Sequence, residues 1–141
     1  MAPQGLSHVL AVPRAFTCTV TSIRRNLRSA GLSVSQYLDL PSEILGEPCT
    51  DARKSALLMV DCPLLLFEAV ALDRSAAVFI PLHVVVTGDG HSTCIHWMHP
   101  VEAMGLRLSP TARGPVDALY ARLTKVLEGL PDRSGHDEGA E

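Results

Sequence analysis

The chain has 141 residues, 47% of them apolar and 19% charged, and a formal charge of −3. That length suits one domain able to bury a core without disulfides or metal, and the composition is too apolar for a disordered or fibrous chain. The stretch from Pro131 holds four acids (Asp132, Asp137, Glu138, Glu141) and one base (Arg133), so it carries the whole −3 and residues 1–130 are neutral. A neutral body argues against nucleic acid or an anionic membrane as the main partner.

The four cysteines, Cys18, Cys49, Cys62 and Cys94, form neither a CxxC pair nor a tight framework. No signal peptide is expected, because the first residues lack a basic segment followed by an unbroken apolar one. No apolar run approaches the roughly 20 residues needed to span a bilayer. These features describe a cytoplasmic protein with reduced thiols.

Residues 1–6 read as a frayed start. His8 to Val12 is a short strand stopped by Pro13. Thr17 is a candidate helix N-cap, and Phe16, Val20, Ile23, Leu27 and Ala30 follow at helical spacing. Gly31 is placed to end that helix at C′, and Arg24, Arg25 and Arg28 form its solvated face. Residues 32–40 alternate as a half-buried strand with Leu32, Val34, Leu38 and Leu40 on one face. Pro41 opens a short helical turn through Ser42, Glu43 and Ile44, and residues 47–54 form a polar loop.

Residues 55–100 contain the longest apolar runs and four of the six histidines. A strand over residues 55–60 leads to Asp61-Cys62-Pro63, where Pro63 begins a helix capped by Asp61 or Cys62. That helix, residues 64–72, is apolar nearly all round apart from Glu68, so it is either central or part of a subunit interface. The interface reading is preferred, since a domain of this size seldom has a fully interior helix. Strands at residues 78–87 and 92–98 flank Gly88-Asp89-Gly90-His91. Asp89-Gly90 as a two-residue hairpin loop would set Val84 against Ile95, Leu82 against Trp97, His83 against His96 and Val85 against Cys94. Pro81 implies an edge position or a bulge. A loop from His99-Pro100 to Pro110 precedes a last helix, Val116 to Leu130, and the acidic residues 131–141 are expected to be disordered.

The expected fold is α+β: strand, helix, strand, short helix, strand, helix, hairpin, helix, with helices packed on one face of a mostly antiparallel sheet. Several motifs in this order carry a resemblance. They are the segment from Gly31 to Pro63 with Leu38-Asp39 in its strand, Ala71-Leu72-Asp73-Arg74, Ile80-Pro81-Leu82, Val84-Val85-Val86 and Met98-His99-Pro100-Val101. Together they resemble the domain-of-unknown-function-302 family (DUF302) over a single domain at residues 7–130. Two positions depart from the family pattern. Asp61-Cys62-Pro63 stands where Cys-Asn-Pro is usual, and His99 replaces an aspartate before Pro100. The resemblance implies a small α+β fold and a homodimer, and it brings no established activity or catalytic residues.

One constellation invites chemistry. His83, Cys94 and His96 fall on one face of the expected hairpin, and directly paired residues have Cβ atoms about 4.5–5.5 Å apart. Imidazole and thiolate suit zinc or another transition metal, and His91 and His99 could add ligands. The plainer reading is a half-exposed sheet face with two ordinary histidines and a thiol. Cys62 at a helix N-terminus is a candidate reactive thiol, although Asp61 beside it opposes activation. No phosphate-binding glycine loop and no GxSxG elbow occurs. The function expected is therefore a dimeric module, with no catalysis, that binds a small-molecule ligand or partner through the sheet's less apolar face. The alternative is a metal-binding or thiol-dependent protein using His83, Cys94 and His96.

Overall fold

The structure is a computed structural model that describes residues 8–40, 54–105 and 107–130. Five strands, β1 (His8–Val12), β2 (Ser33–Leu40), β3 (Lys54–Asp61), β4 (Leu82–Gly88) and β5 (Thr93–Trp97), form one sheet in the order β1-β5-β4-β3-β2. Every pairing is antiparallel. The helices are α1 (Phe16–Ser29), α2 (Pro63–Leu72), α3 (Arg74–Ala77), α4 (Pro100–Met104) and α5 (Pro110–Glu128).

Alternation along the strands makes the core. Ala56, Leu58, Val60, Leu82, Val84, Val86, Ile95 and Trp97 point to one side and are buried. There they meet Val20, Ile23 and Leu27 of α1 and Val116, Leu119, Leu123 and Leu127 of α5 in one cluster. Each fully buried Leu or Ile contributes about 1.5–3 kcal/mol. The α+β expectation, with helices packed on one sheet face, describes this architecture.

The chain ends of α1 show how local chemistry sets these elements. Gly31 has φ +79. Its N–H donates to Arg28 O at 3.1 Å, and Leu32 N–H donates to Leu27 O at 2.9 Å, closing the helix with a Schellman motif. At the other end Ala15 occupies the N-cap without a side-chain bond, so Thr17 lies inside the helix and not at its cap.

Four further expectations change. First, the hairpin register moves by two residues, so that Val84 faces Trp97, Val85 faces His96, Val86 faces Ile95 and Thr87 faces Cys94. The connection is the four-residue Asp89-Gly90-His91-Ser92. Asp89 Oδ1 accepts from His91 N at 2.7 Å and Ser92 N at 2.9 Å, while Asp89 N donates to Ser92 O at 3.0 Å. A shift of two preserves every side chain's face.

Second, β4 begins at Leu82. Ile80–Pro81 is a cis peptide just before the strand, so Pro81 neither bulges the ladder nor occupies an edge. Residues 74–77 form α3, capped by Asp73, whose Oδ1 accepts from Ser75 N at 2.8 Å.

Third, β2 carries a register shift between Val34 and Gln36. That bulge separates Val34, which packs on the core, from Leu38 and Leu40, which are 39% and 45% exposed on the opposite face.

Fourth, the expected loop after His99 contains α4, and α5 starts at Pro110, capped by Ser109, with Pro115 inside it. The expected frayed start, the short turn at Pro41 with most of the loop after it, and the acidic tail lie outside the described residues.

Candidate functional site

Among the described residues the helices cover one sheet face and none covers the other. On that open face β4 presents His83, Val85 and Thr87, β5 presents Cys94 and His96, and β3 presents Leu57 and Met59. A half-solvated antiparallel sheet ordinarily carries polar residues there. This one is largely apolar.

The proposed metal constellation does not close. His96 faces Val85, and His83 faces Met59 on β3, so the two histidines are diagonal neighbours and not a direct pair. Cys94 faces Thr87, four residues along β4 from His83, or roughly 13 Å at strand spacing. Among the described residues no group of three or more His, Cys, Asp or Glu could hold a metal ion. The register change removes the geometry on which the expectation rested. His91 is exposed in the turn, and His99 is buried at 6% exposure on a different element.

His99 is fully engaged. It caps α4, its Nδ1 accepting from Glu102 N at 3.4 Å. That leaves the ring proton on Nε2, which donates to Asp117 Oδ1 of α5 at 2.6 Å. Arg113 donates from Nε to both Asp117 oxygens at 3.2 Å and from Nη2 to Glu102 Oε1 at 3.3 Å. Tyr120 packs edge-on at 4.9 Å between ring centroids. His99, which stands where the resemblance expects an aspartate, therefore caps α4 and also ties α4 to α5. Nearby, His8 stacks on Trp97 at 5.1 Å, and Trp97 Nε1 donates to Thr124 Oγ1 at 2.9 Å.

Cys62 is the N-cap of α2, is 6% exposed and packs in the core cluster, with Arg122 Nη1 3.9 Å from its sulfur. Cys18, Cys62 and Cys94 are free thiols. A further nonpolar surface is on α2. Its outward side exposes Leu64 (72%), Phe67 (74%) and Val70 (47%), while Leu65 and Ala69 face inward.

A feature with room for a ligand is a cavity of about 470 Å³ at the His83 end of the open face. Val78, Phe79 and Pro81 form one wall from the α3–β4 corner, and Pro100, Ala103 and Met104 form another from α4. The floor comes from β4 (Leu82, His83, Val85) and β5 (His96, Trp97), with Met98 just beyond β5. His83 and His96 are the polar points of an otherwise apolar lining that holds no carboxylate or basic chain. Among the described residues neither imidazole has a hydrogen-bond partner, in contrast to His99.

Sequence reasoning singled out His83 and His96 but not the walls that turn them into a site. Two signals point to α4. Pro100 follows His99 at a helix start, and Gly105, with φ +65, ends the helix in the left-handed region.

Among the described residues no helix is long and apolar enough to cross a membrane. A comparison with curated proteins finds no match. The chain is similar in structure to the crystal structure of the uncharacterized conserved protein DUF302 from Bacillus stearothermophilus. The TM-score is 0.73 at 16% identity, covering 87% of this chain and 96% of that one, a likeness of fold. The family model described as "Domain of unknown function DUF302" matches residues 8–130. The chain belongs to the DUF302 family.

Proposed function

We propose that this domain is a binding module for a small apolar molecule, held in the cavity between α4, the α3–β4 corner and the open face of β4 and β5. The observation that carries the reading is the cavity itself. At about 470 Å³, with apolar walls from four elements and two imidazoles in its lining, it has the size and make-up of ligand pockets. Its walls are held by means independent of any ligand: α4 by the His99–Asp117 bond, and the α3–β4 corner by the Asp73 cap.

The direct test is titration with a neutral fluorescent probe, N-phenyl-1-naphthylamine, against the full chain and an Ala103→Phe variant that fills the space. Saturable one-site binding that the variant loses supports the reading. Absence of saturable binding, or binding indifferent to Ala103→Phe, defeats it.

The apolar outward side of α2 supports a second element of the proposal, self-association of two copies through this helix. Leu64, Phe67 and Val70 offer on the order of 350 Å² of apolar surface per copy, below the roughly 800 Å² per partner of a standard interface. The dimer is therefore proposed to be weak. The α2 helix packs on α5 and contributes no residue to the cavity lining.

A further inference from the structure

The identity of the cavity's polar points restricts what it takes. His83 and His96 are diagonal neighbours on adjacent strands, spaced roughly 7–8 Å or less, and both rings line the same space. An imidazole offers an N–H donor in either protonation state, and among the described residues no partner uses these donors. The remaining lining is aliphatic, aromatic or thioether, and it contains no acid that would compete for them. Trp97 does not add a donor, because its indole N–H is committed to Thr124.

We propose that the ligand is an amphiphile with one acceptor-rich, anionic end: a medium-chain carboxylate whose two oxygens meet His83 and His96 while its chain lies against Met98, Ala103 and Met104. A carboxylate has two oxygens to share between two separated donors, which an alcohol lacks. The volume agrees. At about 30 Å³ per heavy atom, on the scale of liquid packing, the cavity has room for roughly 15 atoms, and decanoate has about 12. This inference rests on the cavity reading above and adds to it the chemistry of the recognised end.

The experiment compares decanoate, 1-decanol and decyltrimethylammonium on the full chain below their aggregation concentrations. Calorimetry and the fluorescence of Trp97, the one tryptophan, report binding. The expected result is decanoate binding at least about tenfold tighter than decanol, and decyltrimethylammonium weakest. His83→Ala/His96→Ala then lowers decanoate affinity to the level of decanol and leaves decanol within about twofold. Decanol binding as tightly as decanoate to the unaltered chain overturns the inference while the cavity reading stands. So does a double variant that folds and keeps the preference. No binding of any of the three overturns both. The ligand comparison on the unaltered chain decides the matter even if the double variant does not fold.

Discussion

Replacing Gly88 by alanine sets a methyl group against the hairpin's own backbone. A Cβ built there lies 2.7 Å from Ser92 O, 2.9 Å from Thr93 Oγ1 and 3.0 Å from Thr93 Cα. None of these atoms can yield easily. Two are main chain, and Thr93 is 1% exposed with its hydroxyl donating to Arg14 O at 2.8 Å. Overpacking against such neighbours costs typically 1–3 kcal/mol, of which the lost glycine entropy recovers about 0.4–1 kcal/mol. The net expectation is a destabilisation of about 1.3 kcal/mol.

Gly90 behaves oppositely. A Cβ there has nothing within 4 Å, and the residue is not among the positive-φ glycines. Gly90→Ala should therefore stabilise by up to about 1 kcal/mol. Urea denaturation of both variants, with unchanged slopes, measures the difference, expected to be about 2 kcal/mol. A two-residue Asp-Gly loop demands the reverse, since its second position needs φ above zero. Gly90→Ala costing more than Gly88→Ala would refute the four-residue connection and the register built on it.

Three other outcomes follow from the geometry. Burial, then the hydrogen bond to Asp39, pushes the Tyr37 phenol up to about 12 against the opposing pull of Arg24, and burial also raises Tyr120. The fold favours the neutral phenol, so this stabilisation is whole below about pH 10 and is lost as pH climbs towards 12. Phenolate absorbance of the native protein should be mostly absent at pH 10, and half of the signal appearing by then would contradict the assignment. His99→Ala removes a cap, a short bond to Asp117 and a ring contact. Asp117 is half-exposed and keeps Arg113, so the loss should be about 2 kcal/mol, together with weaker probe binding as α4 loosens. A loss under about 0.5 kcal/mol in urea would show that α4 does not depend on this tie. Phe67→Asp should abolish any concentration-dependent dimer in sedimentation without lowering the unfolding midpoint by more than a few degrees. A dimer that persists would move the contact off α2.

Much of the fold was legible because one side of each element is apolar. Phe16 to Leu27 announce α1, the alternation of Ala56, Leu58 and Val60 announces β3, and Gly31 marks its helix end. Faces survived even where register did not, because the hairpin moved by an even number of residues. The errors came from local polar chemistry with no period to read. Asp89 accepting two backbone N–H groups outweighed the Asp-Gly signal, and a bulge beyond Val34 turned Leu38 and Leu40 outward. The site was half legible. His83 and His96 stood out as residue types, but the cavity depends on α4 and the α3–β4 corner. Their short segments, Pro100–Met104 and Arg74–Ala77, offer no amphipathic repeat to find.

Binding in the cavity beside β4 and β5 can be read residue by residue in a proton–nitrogen correlation titration of the full chain with 1-decanol. Saturable shifts should cluster at the amides of His83, Val85, His96, Met98, Ala103 and Met104, with Leu64 and Phe67 of α2 unmoved. Shifts confined to α2, or none up to the solubility limit of the alcohol, would contradict it.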